Sequence, residues 1–133
     1  MRRDDWVERL HAVIEARQAV PFAYGVQDCG RFAAACADAI TGSAWSQDLA
    51  REYVDERSAL RFIGREGGLE AAVTRRLGPP VPPLMARRGD VCLVNGEPAI
   101  GLGVCLGERV VCVNDGGLVT YPLECVLMAW RVD

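Results

Sequence analysis

The chain has 133 residues, half of them apolar, which is enough for a single domain with a substantial core. Its 15 basic residues, all arginine, are outnumbered by 18 acidic ones, and a net charge of -3 argues against a nucleic-acid-binding surface. No apolar run reaches the ~18 residues of a membrane span, and the N-terminus lacks an apolar signal core. We therefore expect synthesis in a reducing cytoplasm.

The N-terminal segment predicts an amphipathic helix. Asp4 or Asp5 fits the N-cap position. Apolar residues then recur at helical spacing, namely Trp6, Leu10, Val13 and Ile14. The helix should end before Val20-Pro21, because a proline disfavours helical backbone in the residue before it. His11, the one histidine of the chain, lies beside the apolar stripe, and its position favours a partly exposed helix residue over a catalytic one.

A second helix should begin after Asp28, which suits an N-cap, and end at Thr41-Gly42. One buried face is formed by residues at steps of three and four, namely Cys29, Phe32, Cys36 and Ile40. Cys29 occupies the first turn, where backbone N–H groups and the helix dipole stabilise a thiolate. Cys29 is therefore a candidate nucleophile, with a buried small residue that faces the sheet as the alternative, and the backbone at Asp28 is a candidate oxyanion site.

The rest of the chain divides at a proline-rich connector. Residues 47–78 predict shorter helices with two apolar patches, and Gly78 ends the last of them. Residues 79–83, P-P-V-P-P, predict a stiff, extended connector without helix. A helical half (1–78) is thus followed by a strand half (84–133) within one domain (1–133). This order predicts an α+β fold, with N-terminal helices packed on an antiparallel sheet.

After the connector, apolar residues alternate along the chain with the two-residue period of β-strands. Five strands are predicted, at residues 89–94, 100–106, 109–113, 118–121 and 126–132. A two-residue turn at Gly107-Glu108 would pair Leu106 with Arg109. By extension it would pair Gly103 with Cys112 and Gly101 with Asn114. A shift of one residue would undo these pairs.

Six cysteines are present, and no two are spaced as C-x-x-C. With one histidine in the chain, this pattern does not favour a metal site, and we expect no metal or other cofactor. Most of the cysteines are expected to act as small core hydrophobes. Trp45, Tyr53 and the Arg87-Arg88 pair are candidate partner contacts, with core or solvated roles as the alternative.

Three segments carry a resemblance to a known family. Residues 21–29, P-F-A-Y-G-V-Q-D-C, resemble the P-Y-x-W-G and D-C-S-G motifs of NlpC-type cysteine peptidases, which have a papain-like fold. Gly89-Asp90-Val91 resembles that family's G-D-hydrophobic strand, and residues 101–107, G-L-G-V-C-L-G, resemble its H-V-G-I-Y-L-G strand. The chain is also similar to small phage and prophage proteins with the same opening motif and a terminal A-W-R-V, here residues 129–132.

The resemblance breaks where the peptidases have their catalytic histidine. That histidine falls on Gly101, and the D-C-S-G motif reads Asp28-Cys29-Gly30-Arg31 in this chain. Cysteine peptidases use the imidazole to take the thiol proton and later to protonate the leaving amine. The peptidases' residue that orients the histidine comes from the next strand, which makes Asn114 the candidate for that role, with Cys112 as the alternative.

The resemblance therefore implies two functions. The first is a structural adaptor in the tail tip of a long-tailed phage or prophage, bound to hub and other tail proteins in the virion and without peptidase activity. The second is a cell-wall cysteine peptidase or amidase that acts during infection on peptidoglycan, with Cys29 as nucleophile. The second requires that His11 or a partner's residue replaces the missing histidine, and a histidine within ~4 Å of the Cys29 sulfur would favour it.

Overall fold

The computed structural model describes residues 1–133 and has the predicted α+β architecture, with helices followed by an antiparallel sheet. The helices are α1 Trp6–Arg17, α2 Cys29–Thr41, α3 Trp45–Glu52, α4 Glu56–Glu66 and α5 Leu69–Leu77. The strands are β1 Val91–Asn95, β2 Ile100–Cys105, β3 Arg109–Asn114, β4 Gly117–Pro122 and β5 Val126–Trp130. Their order across the sheet is β4-β3-β2-β1-β5. No helix combines the length and hydrophobicity that crossing a bilayer requires.

Local signals place the ends of most helices. The side chain of Asp28 caps α2, and Gly42 ends that helix with a left-handed backbone (φ +78°). Helix α3 begins at Trp45, two residues before the predicted start of the helical region. The reason is a cap from another helix, because the Asp38 carboxylate of α2 accepts the backbone N–H groups of Trp45 and Ser46, each at 2.9 Å.

Two predicted boundaries are wrong by a few residues. The connector is not free of helix, because Pro83–Met85 forms a single 3-10 turn. The last strand ends at Trp130 instead of Val132, since the N–H of Val132 donates to the Asp90 carboxylate (3.1 Å) and not to a neighbouring strand. The connector is otherwise extended, and Val81 pairs with Ala129 of β5.

The predicted hairpin register between β2 and β3 is confirmed from the turn to Gly103, where the paired residues end, so the predicted pair of Gly101 with Asn114 lies beyond the observed pairing. Gly103 lies opposite Cys112, and the N–H of Leu106 donates to the carbonyl of Arg109 (2.7 Å). Gly103 has no room for a side chain, because a Cβ there would lie 2.7 Å from the Cys112 sulfur and 2.8 Å from the Val111 carbonyl oxygen. The glycine thus allows the two strands to pack in this register.

The main core lies between α2 and the sheet. On α2, Phe32, Cys36 and Ile40 are fully buried, as their spacing predicted. On the sheet, the residues that meet this face include Leu102, Val104 and Val111. Cys29 packs against the edge of the same cluster. The helix that carries the candidate nucleophile is therefore fixed by its whole buried face, which alone contributes several kcal/mol at about 25 cal/mol per Å².

A second, smaller core lies on the other face of the sheet. This second core contains Cys92, Val94, Cys105, Val110, Cys112, Val126 and Ala129. The edge strand β4 also contacts the β1–β2 turn, where the Tyr121 hydroxyl accepts the N–H of Glu97 (3.2 Å). Three of the six cysteines are thus buried hydrophobes in this core.

A buried carboxylate connects the two ends of the chain. Asp90 is fully buried at the start of β1. It pairs with Arg2 at 3.1 Å, with Arg131 at 3.2 Å and with Arg87 at 3.5 Å. Gly89 precedes it at φ +92°, where a Cβ would lie 3.0 Å from a methyl of Ile40. The Gly-Asp pair therefore anchors the sheet to α2 and to both termini.

Candidate functional site

A tight turn presents the N-terminus of α2. Gly25 has φ +82°, and a Cβ there would lie 2.1 Å from the carbonyl oxygen of Val54. Only glycine fits this position, both in conformation and in space. The N–H of Gly25 donates to Oδ2 of Asp28 (2.9 Å), so the turn and the helix cap are joined.

Asp28 is the N-cap that the sequence predicted, and its carboxylate has more partners than a cap requires. Its Oδ1 accepts the N–H of Arg31 (2.8 Å) and the hydroxyl of Tyr53 (2.7 Å). The residue is 3% exposed. Its partners are neutral backbone and hydroxyl donors, so its negative charge stays beside Cys29 without a cation in direct contact.

Cys29 faces Gly101, the residue at which the resemblance to the peptidases places their histidine. A Cβ built on Gly101 would lie 3.9 Å from the Cys29 sulfur and 4.0 Å from its Cβ. No other heavy atom lies within 4 Å of that position outside the glycine's immediate neighbours. The alignment that placed the vacated histidine on Gly101 thus corresponds to a real space beside the thiol.

Burial raises the pKa of the Cys29 thiol above its ordinary value. The negative charge of Asp28 acts in the same direction, while hydrogen bonds from the backbone at Leu102, Gly30 and Cys29 itself act against it. The net direction is opposite to the thiolate stabilisation expected from a helix N-terminus. Desolvation therefore outweighs the helix, and the thiol is protonated at neutral pH.

Asn114, the candidate orienting residue, lines the same cavity as Cys29 and Gly101. Its Oδ1 already accepts the N–H of Gly116 (3.0 Å), which stabilises the β3–β4 turn. Its backbone carbonyl accepts the N–H of Phe22 (3.1 Å) and so holds the opening motif against the sheet. Cys112, the alternative candidate, also lines the cavity, and burial raises the pKa of its thiol to about 12.

His11 does not replace the missing histidine within the chain. It is exposed on α1, where its Nε2 lies 3.2 Å from a carboxylate oxygen of Glu15. It is not among the residues that line the cavity at Cys29. No group of three or more His, Cys, Asp or Glu side chains is arranged to hold a metal ion.

The space beside Cys29 belongs to an open cavity of about 460 Å³. Twenty of its 28 lining residues are hydrophobic. The lining residues come from the opening segment and the start of α2, from α3, α4 and α5, and from the sheet with its β1–β2 turn. The space between Gly101 and the Cys29 sulfur is thus not filled by a neighbouring side chain.

Two of the candidate contact residues belong to the core. Trp45 and Tyr53 are each 6% exposed, so their core alternative is right, and both also form part of the wall of the cavity. Arg31, which stands where the peptidases have glycine, lies over the Tyr53 ring (4.8 Å) and donates to the Tyr53 carbonyl. Arg88 stays exposed, and Arg87 donates to Asp133 (2.8 Å).

The Tyr53–Asp28 bond joins residues 25 positions apart, and no local sequence signal points to it. The cavity, likewise, is bounded by helices whose packing is not visible in their own periodicity.

Comparison with protein-family models finds one match, to a family described as a domain of unknown function, DUF6950, over residues 1–132. The chain therefore belongs to the DUF6950 family. No curated protein matches the sequence.

Proposed function

We propose that this DUF6950 chain is a structural adaptor of a long-tailed phage or prophage tail tip, built on an NlpC-like fold without peptidase activity. The observation that carries the loss of activity is Gly101, which faces the Cys29 sulfur where the catalytic imidazole is expected. The proposed location, in the virion and beside hub proteins, is supported by the sequence resemblance to phage tail-tip proteins.

The chemistry at Cys29 supports the loss of activity independently. Amide hydrolysis by a thiol needs a thiolate and a general acid for the leaving amine. The pKa of the Cys29 thiol is raised by burial, and the chain's one histidine lies on the surface of α1. Neither requirement is met by residues within reach of the sulfur.

The motifs that carry the resemblance also have scaffold roles in this fold. The Gly-Asp pair at 89–90 and the terminal A-W-R-V at 129–132 meet, because Asp90 accepts the N–H of Val132 and Val91 pairs with Trp130. Residues 21–29 form the turn and the cap that fix α2. These segments hold the fold together. A protein without hydrolytic activity would therefore still need them for stability.

The first test is hydrolysis of peptidoglycan stem peptides by purified protein. The wild type should give no products, whereas Gly101→His places an imidazole beside the thiol and should permit slow turnover. Gly101→Gln is the matched control, since it has a similar size without an imidazole. Turnover by the wild type that is lost in Cys29→Ala would contradict the proposal.

The second test is made in the phage or prophage that encodes the chain. Removal of the gene should prevent assembly of complete tails, seen by electron microscopy. Cys29→Ala should leave both tail assembly and infectivity nearly unchanged. Virions that assemble normally with Cys29→Ala but lose most of their infectivity would point to catalysis instead.

A second candidate function is a cell-wall cysteine peptidase, and backbone hydrogen bonds to the thiol favour it. Those at Leu102 and Gly30 act against the rise in the pKa of Cys29 that burial causes, and an open cavity adjoins the sulfur. In that case a partner would supply the imidazole. A thiol-directed peptidoglycan fragment should then label Cys29 in preference to the other five cysteines, in the presence of hub protein.

A further inference from the structure

The cavity at Cys29 has the size and lining of a binding site. Its volume of about 460 Å³ lies within the range of ligand pockets, roughly 300–1,000 Å³. Hydrophobic residues form most of its wall. A protein gains nothing from keeping such a space open between its own helices and sheet, since filling it would add packing contacts.

Large apolar side chains are exposed where the cavity opens. Ile100, at the start of β2, and Leu60, on α4, both line the cavity and are each 54% exposed. One belongs to the sheet and the other to the helices. Apolar groups that flank an apolar cavity indicate a surface that is covered by another molecule.

The charges at the cavity are of one sign. Its charged lining residues are Asp28, Glu97 and Asp115, and none of the 15 basic residues of the chain takes part. Asp28 is buried and committed to the α2 cap. Glu97 and Asp115 are exposed, and neither lies in an ion pair within the chain. A ligand with a carboxylate or a phosphate is therefore disfavoured there, and a cationic group is favoured.

We propose that the cavity binds a segment of a partner polypeptide whose apolar side chains enter it and whose arginine or lysine residues pair with Glu97 and Asp115. A polypeptide fits because the two acidic groups lie exposed at the rim, so a ligand must both fill the apolar space and extend beyond it. This inference rests on the proposed adaptor function, since it names the chemistry of the surface that the adaptor binds.

The test uses fluorescently labelled peptides and the full chain, with binding followed by anisotropy at low salt. One peptide has a Leu and Ile centre flanked by arginines, a second has the same centre flanked by glutamates, and a third keeps the arginines around a Ser centre. Only the first should bind tightly. An aliphatic amine is added as a fourth probe, to detect a site for small molecules.

Variants then locate the site. Glu97→Gln combined with Asp115→Asn should weaken binding of the arginine-flanked peptide by roughly threefold to tenfold, as expected for exposed ion pairs, and raised salt should have a similar effect. Glu108→Gln is the matched control, because Glu108 is also exposed but lies in the β2–β3 turn, outside the cavity. Ile100→Ser should weaken binding more than Leu127→Ser, which alters an exposed leucine of β5.

Several outcomes would overturn the inference: equal binding of the arginine and glutamate peptides, no binding of any peptide, tight binding of the aliphatic amine alone, or equal effects of Glu97→Gln/Asp115→Asn and Glu108→Gln. The peptide-binding measurements do not depend on whether the chain takes part in phage tail assembly. If the peptides bind as expected but removal of the gene leaves tails intact, the adaptor role in a tail fails and the site remains. If tail assembly requires the gene but no peptide binds, the binding-site inference is wrong and the proposed adaptor function is unaffected.

Discussion

Two buried aspartates, Asp28 and Asp90, organise different regions of this chain in related ways. Asp28 is 3% exposed and Asp90 is 0% exposed. Each follows a turn with a left-handed glycine, at positions 25 and 89, and each accepts a backbone N–H three residues away. Each stands at the beginning of a secondary-structure element, α2 or β1.

The two carboxylates differ in the charge of their partners. Asp90 meets three arginines, whereas the direct partners of Asp28 are two backbone N–H groups and the Tyr53 hydroxyl. Asp90 is therefore a neutralised structural connection between distant segments. Asp28 keeps a net negative charge at the candidate site, where it raises the pKa of Cys29. A glycine turn followed by a buried aspartate thus connects distant segments in one region. In the other region it places a negative charge beside a cavity.

The largest effect should come from Asp90→Ala. It leaves Arg2, Arg87 and Arg131 without their shared partner and removes the acceptor for Val132, so we expect a loss of about 3–5 kcal/mol in the free energy of unfolding. Urea denaturation followed by circular dichroism measures it. Asp133→Ala, which breaks only the exposed pair with Arg87, is the control and should cost less than about 1 kcal/mol. Similar losses for both variants would show that Asp90 is not the connection inferred here.

Asp28→Ala should have the next largest effect. It removes a helix cap, worth about 1 kcal/mol, and leaves the buried Tyr53 hydroxyl without its acceptor, which costs about 1–3 kcal/mol more. The control is Asp55→Ala, because Asp55 caps α4 with an exposed side chain and should lose only the cap. If the two variants lose the same stability, the Tyr53 bond contributes nothing.

The sequence was sufficient for what depends on local pattern. The capping of α2 by Asp28, its end at Gly42 and the Gly103–Cys112 register all follow from short-range signals, and all are confirmed. The long-range contacts were not visible, because Asp38 caps a different helix and Tyr53 reaches across 25 positions. Trp45 and Tyr53 are core residues for the same reason, since aromatic residues fit either a core or an interface and the sequence does not distinguish the two.

The sequence predicts the position of the candidate site, but not the pKa shift of Cys29 or the cavity beside it. Alignment of the H-V-G-I-Y-L-G strand was enough to place Gly101 beside Cys29. The direction of the Cys29 pKa shift depends on how deeply the neighbouring helices bury the thiol, and periodicity carries no information on that depth. The cavity depends on the packing of α3, α4 and α5, which is a tertiary property.

Tyr53→Phe isolates one contact of Asp28. It removes the hydroxyl donor and keeps the ring beneath Arg31, so we expect a loss of about 1 kcal/mol in unfolding free energy. In a double-mutant cycle with Asp28→Ala the losses should be less than additive, because both changes remove the same bond. If the losses of unfolding free energy are additive, Asp28 and Tyr53 do not interact energetically.

Asp28→Asn should give the smallest effect, on the reactivity of Cys29. Removal of the negative charge lowers the pKa of the thiol and raises its thiolate fraction at pH 8. Alkylation of Cys29 by iodoacetamide, followed by mass spectrometry, should become faster on the order of twofold to fivefold, which corresponds to a fraction of a pKa unit. The wild-type rate should continue to rise above pH 9, since the pKa is raised from that value. An unchanged alkylation rate in Asp28→Asn would show that the charge of Asp28 does not affect the pKa of the Cys29 thiol.

The position of Asp90 also has a consequence for how the molecule opens. Chain ends usually fray first, and their amides exchange with solvent within seconds. Here the amide of Val132 donates to Asp90, while Arg2 donates to both Asp90 and the carbonyl of Val132 (2.8 Å). The two ends are held to each other and to β1. The amide of Val132 should therefore exchange with deuterium as slowly as the central strands, and the ends should separate only when the whole domain unfolds.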